Sequence, residues 1–285
     1  MLWLCLHFPK LPLEALIPKP SFGDASLRVV IEASRVVTCD DEVEALGVTT
    51  GLKQSTVSGL LSGHPLQLLS RDRVKEHQTL RRLRQWAYSI TPTLSLWRDD
   101  CLQLEISRCL LVHGGLEALL KKIAIEFDQR GFSVFAGVGP SRESAWLLSQ
   151  FNRASVASIA DQGLPLESQL SPIPLSYLDE FPKDTAALAK AGVRTFKDLL
   201  ALPNASIKQR CSHEFSSWID RLLCRVEVAL EDFQPDPEYN DVAWLGYGSK
   251  NNQELIPAME ALLEKLSVFR RHTQLEQPQL RRVYI

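Results

Sequence analysis

The sequence predicts an α+β protein. Strand-length apolar or alternating stretches lie in its first half, amphipathic helical patterns separate them, and the stretch after residue 164 reads as short helices. Strands interleaved with helices bury their apolar faces together as a mixed core, while a purely helical run builds its own. A length of 285 residues accommodates about two or three domains and a sizeable core.

Residues 2–8 form an apolar run stopped by Pro9 and Pro12, which predicts a buried strand. Residues 27–31 predict a second strand, and residues 102–106, Leu-Gln-Leu-Glu-Ile, alternate with period two and predict a third. A fourth, residues 132–138, follows Gly131 and stops at Gly139-Pro140. The helix over 74–88 aligns Leu80, Leu83 and Ala87; the helix over 116–127 aligns Leu116, Leu119, Leu120, Ile123 and Phe127. Ser141 is an N-cap candidate for a further helix burying Ala145 to Phe151. Residues 161–174 then read as a linker and a domain boundary. Helices follow over 185–191, 195–201 and 206–225, punctuated by Gly192 and Pro203. A second boundary falls at residues 234–237, Gln-Pro-Asp-Pro, before a strand over 242–247, a helix over 255–271 and a strand from Leu280. That last strand ends without a turn or partner, so the final domain reads as cut off and the chain as a fragment of a longer product.

Composition sets outer limits on function. Hydrophobic residues make up 45% and charged residues 23%, which argues against extensive disorder and against membrane spanning. With 32 basic and 34 acidic side chains the net charge is -2, so any DNA affinity must be local or supplied by another part of the protein. The start lacks the positive charge and length of a signal peptide. The cysteines Cys5, Cys39, Cys101, Cys109, Cys211 and Cys224 include no C-x-x-C pair and no histidine at zinc-ligand spacing, so they read as reduced structural thiols of a cytosolic protein, with no metal site.

Leu104-Glu105-Ile106-Ser107, then His113-Gly114-Gly115, an amphipathic helix and the strand running from Gly131 to Gly139-Pro140 come in an order that resembles the palm of Y-family translesion DNA polymerases. Val36-Val37-Thr38 through Leu46-Gly47-Val48 to Gly51-Leu52 resembles the fingers. Thr185, Leu188, Ala191-Gly192-Val193, Thr195, Asp198-Leu199 and Leu202-Pro203 resemble the thumb with its helix-hairpin-helix. The resemblance implies a right-hand fold with a palm over 1–163, fingers inserted at about 19–80, a helical thumb over 164–233 and the start of a truncated little finger over 238–285.

Departures from the family's pattern shape the functional expectation. Polymerase chemistry needs two Mg²⁺ ions, hard cations that take carboxylate oxygens. The family's first carboxylate position falls on His7, and residues 1–13 hold no Asp or Glu at all. Counting back from Leu104-Glu105 places Asp100 on the aspartate of the second cluster and Cys101 on its glutamate. The tyrosine and arginine of the fingers fall on Asp41 and Glu44, and the palm-helix lysine on Trp146. An anion facing phosphate at contact costs about 1 kcal/mol in water and about 4 kcal/mol at an effective dielectric of 20.

The opening sixteen residues narrow the resemblance to a non-catalytic, damage-induced bacterial branch of the family. This implies a scaffold in SOS-type, mutagenic translesion synthesis and DNA repair, working in the cytoplasm near the nucleoid without cofactor or membrane. The implied partners are the sliding clamp, an ImuA-like protein, an error-prone replicative-type polymerase and, weakly, primed or damaged DNA. One alternative is an active polymerase using Mg²⁺ on displaced ligands such as Asp40, Asp41, Asp99 or Asp100; another is an interaction module unrelated to DNA damage.

Plainer readings stand beside these. His7 on an apolar strand reads as a core histidine, Asp99-Asp100 as a solvated turn, and Glu105 as an exposed strand residue. Gly137-Val138-Gly139-Pro140-Ser141 lacks the G-K-[ST] ending of a phosphate loop. The cluster Arg71, Arg73, Lys75, Arg81, Arg82 and Arg84 reads as a solvated helix face or, with Arg281 and Arg282, as a DNA or partner contact. Gln67-Leu68-Leu69 is too short for a clamp-binding peptide. In the thumb-like hairpin, Glu180-Phe181-Pro182-Lys183 offers phosphate a repelling charge and a proline without an N–H.

Overall fold

The structure, a computed structural model, describes residues 1–17, 27–152, 156, 165–226, 256–257, 259–264 and 266–267. In chain order the elements are β1 (Trp3–His7), α1 (Leu11–Glu14), β2 (Leu27–Glu32), β3 (Arg35–Cys39), α2 (Asp41–Ala45), α3 (Gln54–Leu60), β4 (Leu66–Ser70), α4 (Arg73–Ala87) and β5 (Leu94–Trp97). They continue with β6 (Cys101–Glu105), α5 (Leu116–Arg130), β7 (Phe135–Gly139), α6 (Arg142–Asn152), α7 (Leu166–Leu170), α8 (Pro182–Lys190), α9 (Phe196–Leu200), α10 (Asn204–Arg210) and α11 (His213–Leu222). The chain divides into two compact units, residues 1–11 with 93–231 and residues 12–92 with 232–285.

The first unit is built on an antiparallel sheet of order β5-β6-β1-β7. β1 lies inside it, with His7 opposite Cys101 and Phe135, and Trp3 opposite Glu105 and Gly139. The period-two rule puts Trp3, Cys5 and His7 on one face and Leu4 and Leu6 on the other. Trp3, Cys5 and Cys101 join Ala145, Trp146, Leu147 and Leu148 of α6 in one core cluster. On the far side Phe8 meets Phe127 of α5 edge-on at 5.3 Å. α6 can lie this close to β7 because Gly137 presents no side chain: a Cβ there would come within 3.0 Å of the Ala145 carbonyl oxygen, the Ser149 amide nitrogen and the Leu148 carbonyl carbon.

The helices after residue 165 share that core. Trp218 of α11 stands perpendicular to Trp146 at 6.4 Å, the Ser141 hydroxyl donates to the Leu222 carbonyl at 2.9 Å, and Arg221 donates to the buried Glu143 carboxylate at 2.7 Å. The expected single helix over 206–225 is two, because Cys211 is extended (φ -112°, ψ 164°) and Ser212 caps α11 by accepting from the Phe215 amide. Asp184 of α8 fixes the break, accepting from the Ser212 amide and hydroxyl, each at 2.7 Å. The expected linker over 161–174 contains α7, and Pro174 bridges to Thr195, whose side chain forms a capping box with Asp198. Residues 161–164 of that linker lie outside the described residues.

The second unit carries a sheet of order β3-β2-β4, β2 antiparallel to β3 and parallel to β4. Val29, Val36, Val43, Val48, Val57 and Leu61 are in its core. The hairpin between β2 and β3 turns on Ala33 (φ 48°) and Ser34 (φ 61°) in left-handed backbone. The described residues between 256 and 267 are helical, as expected. The expected boundary at 234–237 and the strands over 242–247 and from 280 lie outside the described residues.

Candidate functional site

The site forms where β1 ends and β6 begins. His7 and Cys101 are paired across the two strands, and the turn from β5 to β6, with Arg98 in left-handed backbone (φ 56°), brings in Asp100. The Phe8 amide donates to the Asp100 carbonyl at 2.9 Å, which pins the turn against the end of β1. His7 Nε2 lies 3.4 Å from Asp100 Oδ2, and the Cys101 thiol donates to Asp100 Oδ1 at 3.1 Å. The His7 side chain is 12% exposed and that of Asp100 44%, while Cys101 is fully buried. The positions singled out from the sequence, His7, Asp100 and Cys101, thus converge. Among the described residues they are the one group of three His, Cys, Asp or Glu side chains whose ligand atoms lie within 4.8 Å of one another.

Burial pushes the Asp100 carboxyl up, but His7, the Cys101 thiol and the charge of Arg98 outweigh it and hold Asp100 below the ordinary aspartate value. Cys101 goes the other way: burial first, then the neighbouring Cys5 thiol and the Asp100 carboxylate, push its thiol well up. The Gln150 amide contacts Cys101 Sγ at 3.8 Å, and the Ser149 hydroxyl contacts Cys5 Sγ at 3.6 Å. On the inner side of the ring, His7 Nδ1 is buried without a hydrogen-bond partner among the described residues.

The donor set does not suit a pair of Mg²⁺ ions. Mg²⁺ demands near-octahedral oxygen coordination, and here one carboxylate stands between an imidazole and a thiol. Glu105 supplies no second carboxylate: contrary to expectation it is 3% exposed, and it accepts from the Leu2 amide and from the amide and hydroxyl of Ser107. Its side of the sheet is covered, so alternation along β6 separates two buried faces rather than a dry face and a wet one.

The other singled-out residues fall elsewhere. Trp146, where the resemblance places a lysine, is 2% exposed, and the Arg98 guanidinium lies over its ring at 4.0 Å. Arg98 in turn pairs with Asp179 at 3.1 Å and Glu180 at 3.0 Å, which engages the Glu180-Phe181-Pro182-Lys183 stretch. Pro182 opens α8, where a missing N–H costs nothing. Asp41 and Glu44 are exposed on α2 in the second unit. Asp40 is engaged by Arg28, which donates to both its oxygens at 3.0 and 2.7 Å.

In the basic cluster, Arg71 clasps the buried Glu76 with two hydrogen bonds (2.8 and 2.7 Å) and reaches Glu32 at 3.1 Å, while Arg73 clasps Glu32. Lys75 and Arg81 are exposed, Arg82 and Arg84 half-buried, and Arg281 and Arg282 lie outside the described residues. Gln67, Leu68 and Leu69 are strand residues of β4. Sequence reasoning missed two arginine placements: Arg98, and Arg142, whose guanidinium lies 5.4 Å from the Trp3 ring and 4.9 Å from the Trp97 ring. Nothing in local spacing could have found contacts between residues so far apart in sequence.

The architecture matches solved Y-family DNA polymerases. A Dbh ternary complex aligns with a TM-score of 0.60 at 14% identity over 94% of this chain and 80% of that one. DinB from Sulfolobus solfataricus aligns with a TM-score of 0.57 at 13% identity over 81% of this chain and 70% of that one. The chain therefore has the Y-family DNA polymerase fold. In sequence it is ImuB-like, being 22% identical over 197 residues to the protein ImuB of Caulobacter vibrioides, in strains NA1000 / CB15N and ATCC 19089 / CIP 103742 / CB 15. That match covers 69% of this chain and 42% of those relatives, so the chain spans less than half their length. No protein-family model matches it.

Proposed function

We propose that this chain is part of a non-catalytic, polymerase-like scaffold for damage-induced translesion DNA synthesis and repair. One observation carries the reading: where the resemblance places three metal-binding carboxylates, the structure brings together His7, Asp100 and Cys101, with a single carboxylate among them. Two Mg²⁺ ions bridging a triphosphate and a primer hydroxyl need more anionic oxygen than that. Burial of Trp146 beneath Arg98 supports the same reading, because an indole packed into a core offers a triphosphate no charge.

In this reading residues 1–163 supply the palm, with the fingers inserted at about 19–80, residues 164–233 the thumb, and residues 238–285 the start of the little finger. Their work is to hold a clamp, an ImuA-like protein and an error-prone replicative-type polymerase on damaged DNA in the bacterial cytoplasm. No helix among the described residues is long and apolar enough to cross a membrane. Calorimetric titration of Mg²⁺-dNTP into the chain with primed DNA tests the reading: no nucleotide-dependent heat is expected, and saturable nucleotide binding overturns it.

A further inference from the structure

We propose that His7, Asp100 and Cys101 bind one borderline-soft divalent cation of the Zn²⁺ class. An imidazole nitrogen, a thiolate and a carboxylate oxygen are a donor set that Zn²⁺ accepts and that Mg²⁺ does not. Tetrahedral zinc with ordinary bond lengths holds its N, O and S donors about 3.3 to 3.6 Å apart. His7 Nε2 and Asp100 Oδ2 are 3.4 Å apart, Cys101 Sγ and Asp100 Oδ1 are 3.1 Å apart, and the ligand atoms all lie within 4.8 Å of one another. The two short separations run to different oxygens of Asp100, so closing on one ion through a single carboxylate oxygen takes a rotation of that side chain.

Charge balance also favours it. On binding, Cys101 releases to solvent the proton it shares with Asp100, so one thiolate and one carboxylate cancel the two charges of the ion and the filled site buries no net charge. Arg98 is the nearby cation, and Asp179 and Glu180 balance it. Asp100, with 44% of its side chain exposed, opens the fourth position to water and gives the ion a path in. The ion takes the place in the fold where the resemblance puts catalytic Mg²⁺, with donors that serve a structural or occluding role.

The test is a Co²⁺ titration of the full chain, reduced and stripped by chelator, read by absorbance. One equivalent is expected to give a thiolate-to-cobalt charge-transfer band with tetrahedral d–d bands; Zn²⁺ displaces the cobalt and excess Mg²⁺ does not. Cys101→Ser abolishes the charge-transfer band, His7→Asn and Asp100→Asn weaken binding about 100-fold or more, and Cys224→Ser changes nothing. No stoichiometric binding, or a charge-transfer band that survives in Cys101→Ser, overturns the proposal. If Cys101→Ser does not fold, Asp100→Asn at the half-exposed position decides: undiminished cobalt affinity in it overturns the site. Because no nucleotide is present, failure here is distinct from failure of the scaffold reading.

Discussion

Replacing Gly137 with alanine should destabilise the first unit severely, and the structure gives the size of the effect. The new Cβ would come within 3.0 Å of three main-chain atoms of α6, whereas ordinary contact begins at 3.4 Å. None of the three belongs to a flexible side-chain end, so α6 has to withdraw by about 1 Å. A gap of that order forfeits about half of each dispersion contact across the interface. Overpacking costs about 1–3 kcal/mol, and main-chain obstacles in α6 on one side, with β7 held to β1 by its ladder on the other, put this case near 3 kcal/mol. With a urea slope of about 2 kcal/mol/M, the midpoint falls by about 1.5 M, read by tryptophan fluorescence. Gly59→Ala is the control: it lies in α3 with nothing within 4 Å, and should be neutral or stabilise by about 0.5–1 kcal/mol. A loss below about 0.5 kcal/mol for Gly137→Ala would refute the close approach of α6 to β7.

Trp146→Ala removes the indole packed between Trp218 and Arg98 and is expected to cost about 3–5 kcal/mol in urea unfolding. Trp146→Phe costs less, because it also removes a buried Nε1 that has no hydrogen-bond partner among the described residues. Asp184→Ala should cost about 2–3 kcal/mol by freeing the start of α11, measured as a lower unfolding midpoint and faster amide exchange over α11. Asp100 makes a signed pH prediction. Its folded pKa is lowered, so its contribution is present above the ordinary aspartate value of about 3.9 and lost as pH falls through the lower folded value. Wild type should therefore exceed Asp100→Asn in stability at neutral pH, with the difference vanishing in acid; a difference that grows on acidification would contradict the assignment.

The convergence at the site was legible in the sequence because β1 and β6 keep strict strand register. His7, Asp100 and Cys101 were singled out by the positions they occupy in the pattern the resemblance implies, and the pairing of β1 with β6 brings His7 opposite Cys101. Apolar alternation misread Glu105, since a strand buried on both faces hides its polar residues as completely as its apolar ones. Local cysteine and histidine spacing gave no hint of a metal site, because His7 is far along the chain from Asp100 and Cys101 and only strand pairing joins them. The break between α10 and α11 was illegible for a related reason: the decisive partner, Asp184, lies in another helix. β3, β4 and β5 went unpredicted as strands because Arg-Val-Val-Thr-Cys, Leu-Gln-Leu-Leu-Ser and Leu-Ser-Leu-Trp keep neither an unbroken apolar run nor a full alternation.

The measurement that bears most directly on the account is single-nucleotide incorporation on a primed template, with Mg²⁺ and with Mn²⁺, by this chain and by the longest natural product that contains it. No incorporation is expected from either protein with either metal. Incorporation by the longer product that Asp100→Ala abolishes would contradict the account and place metal-dependent nucleotidyl transfer at the very site where His7 and Cys101 stand.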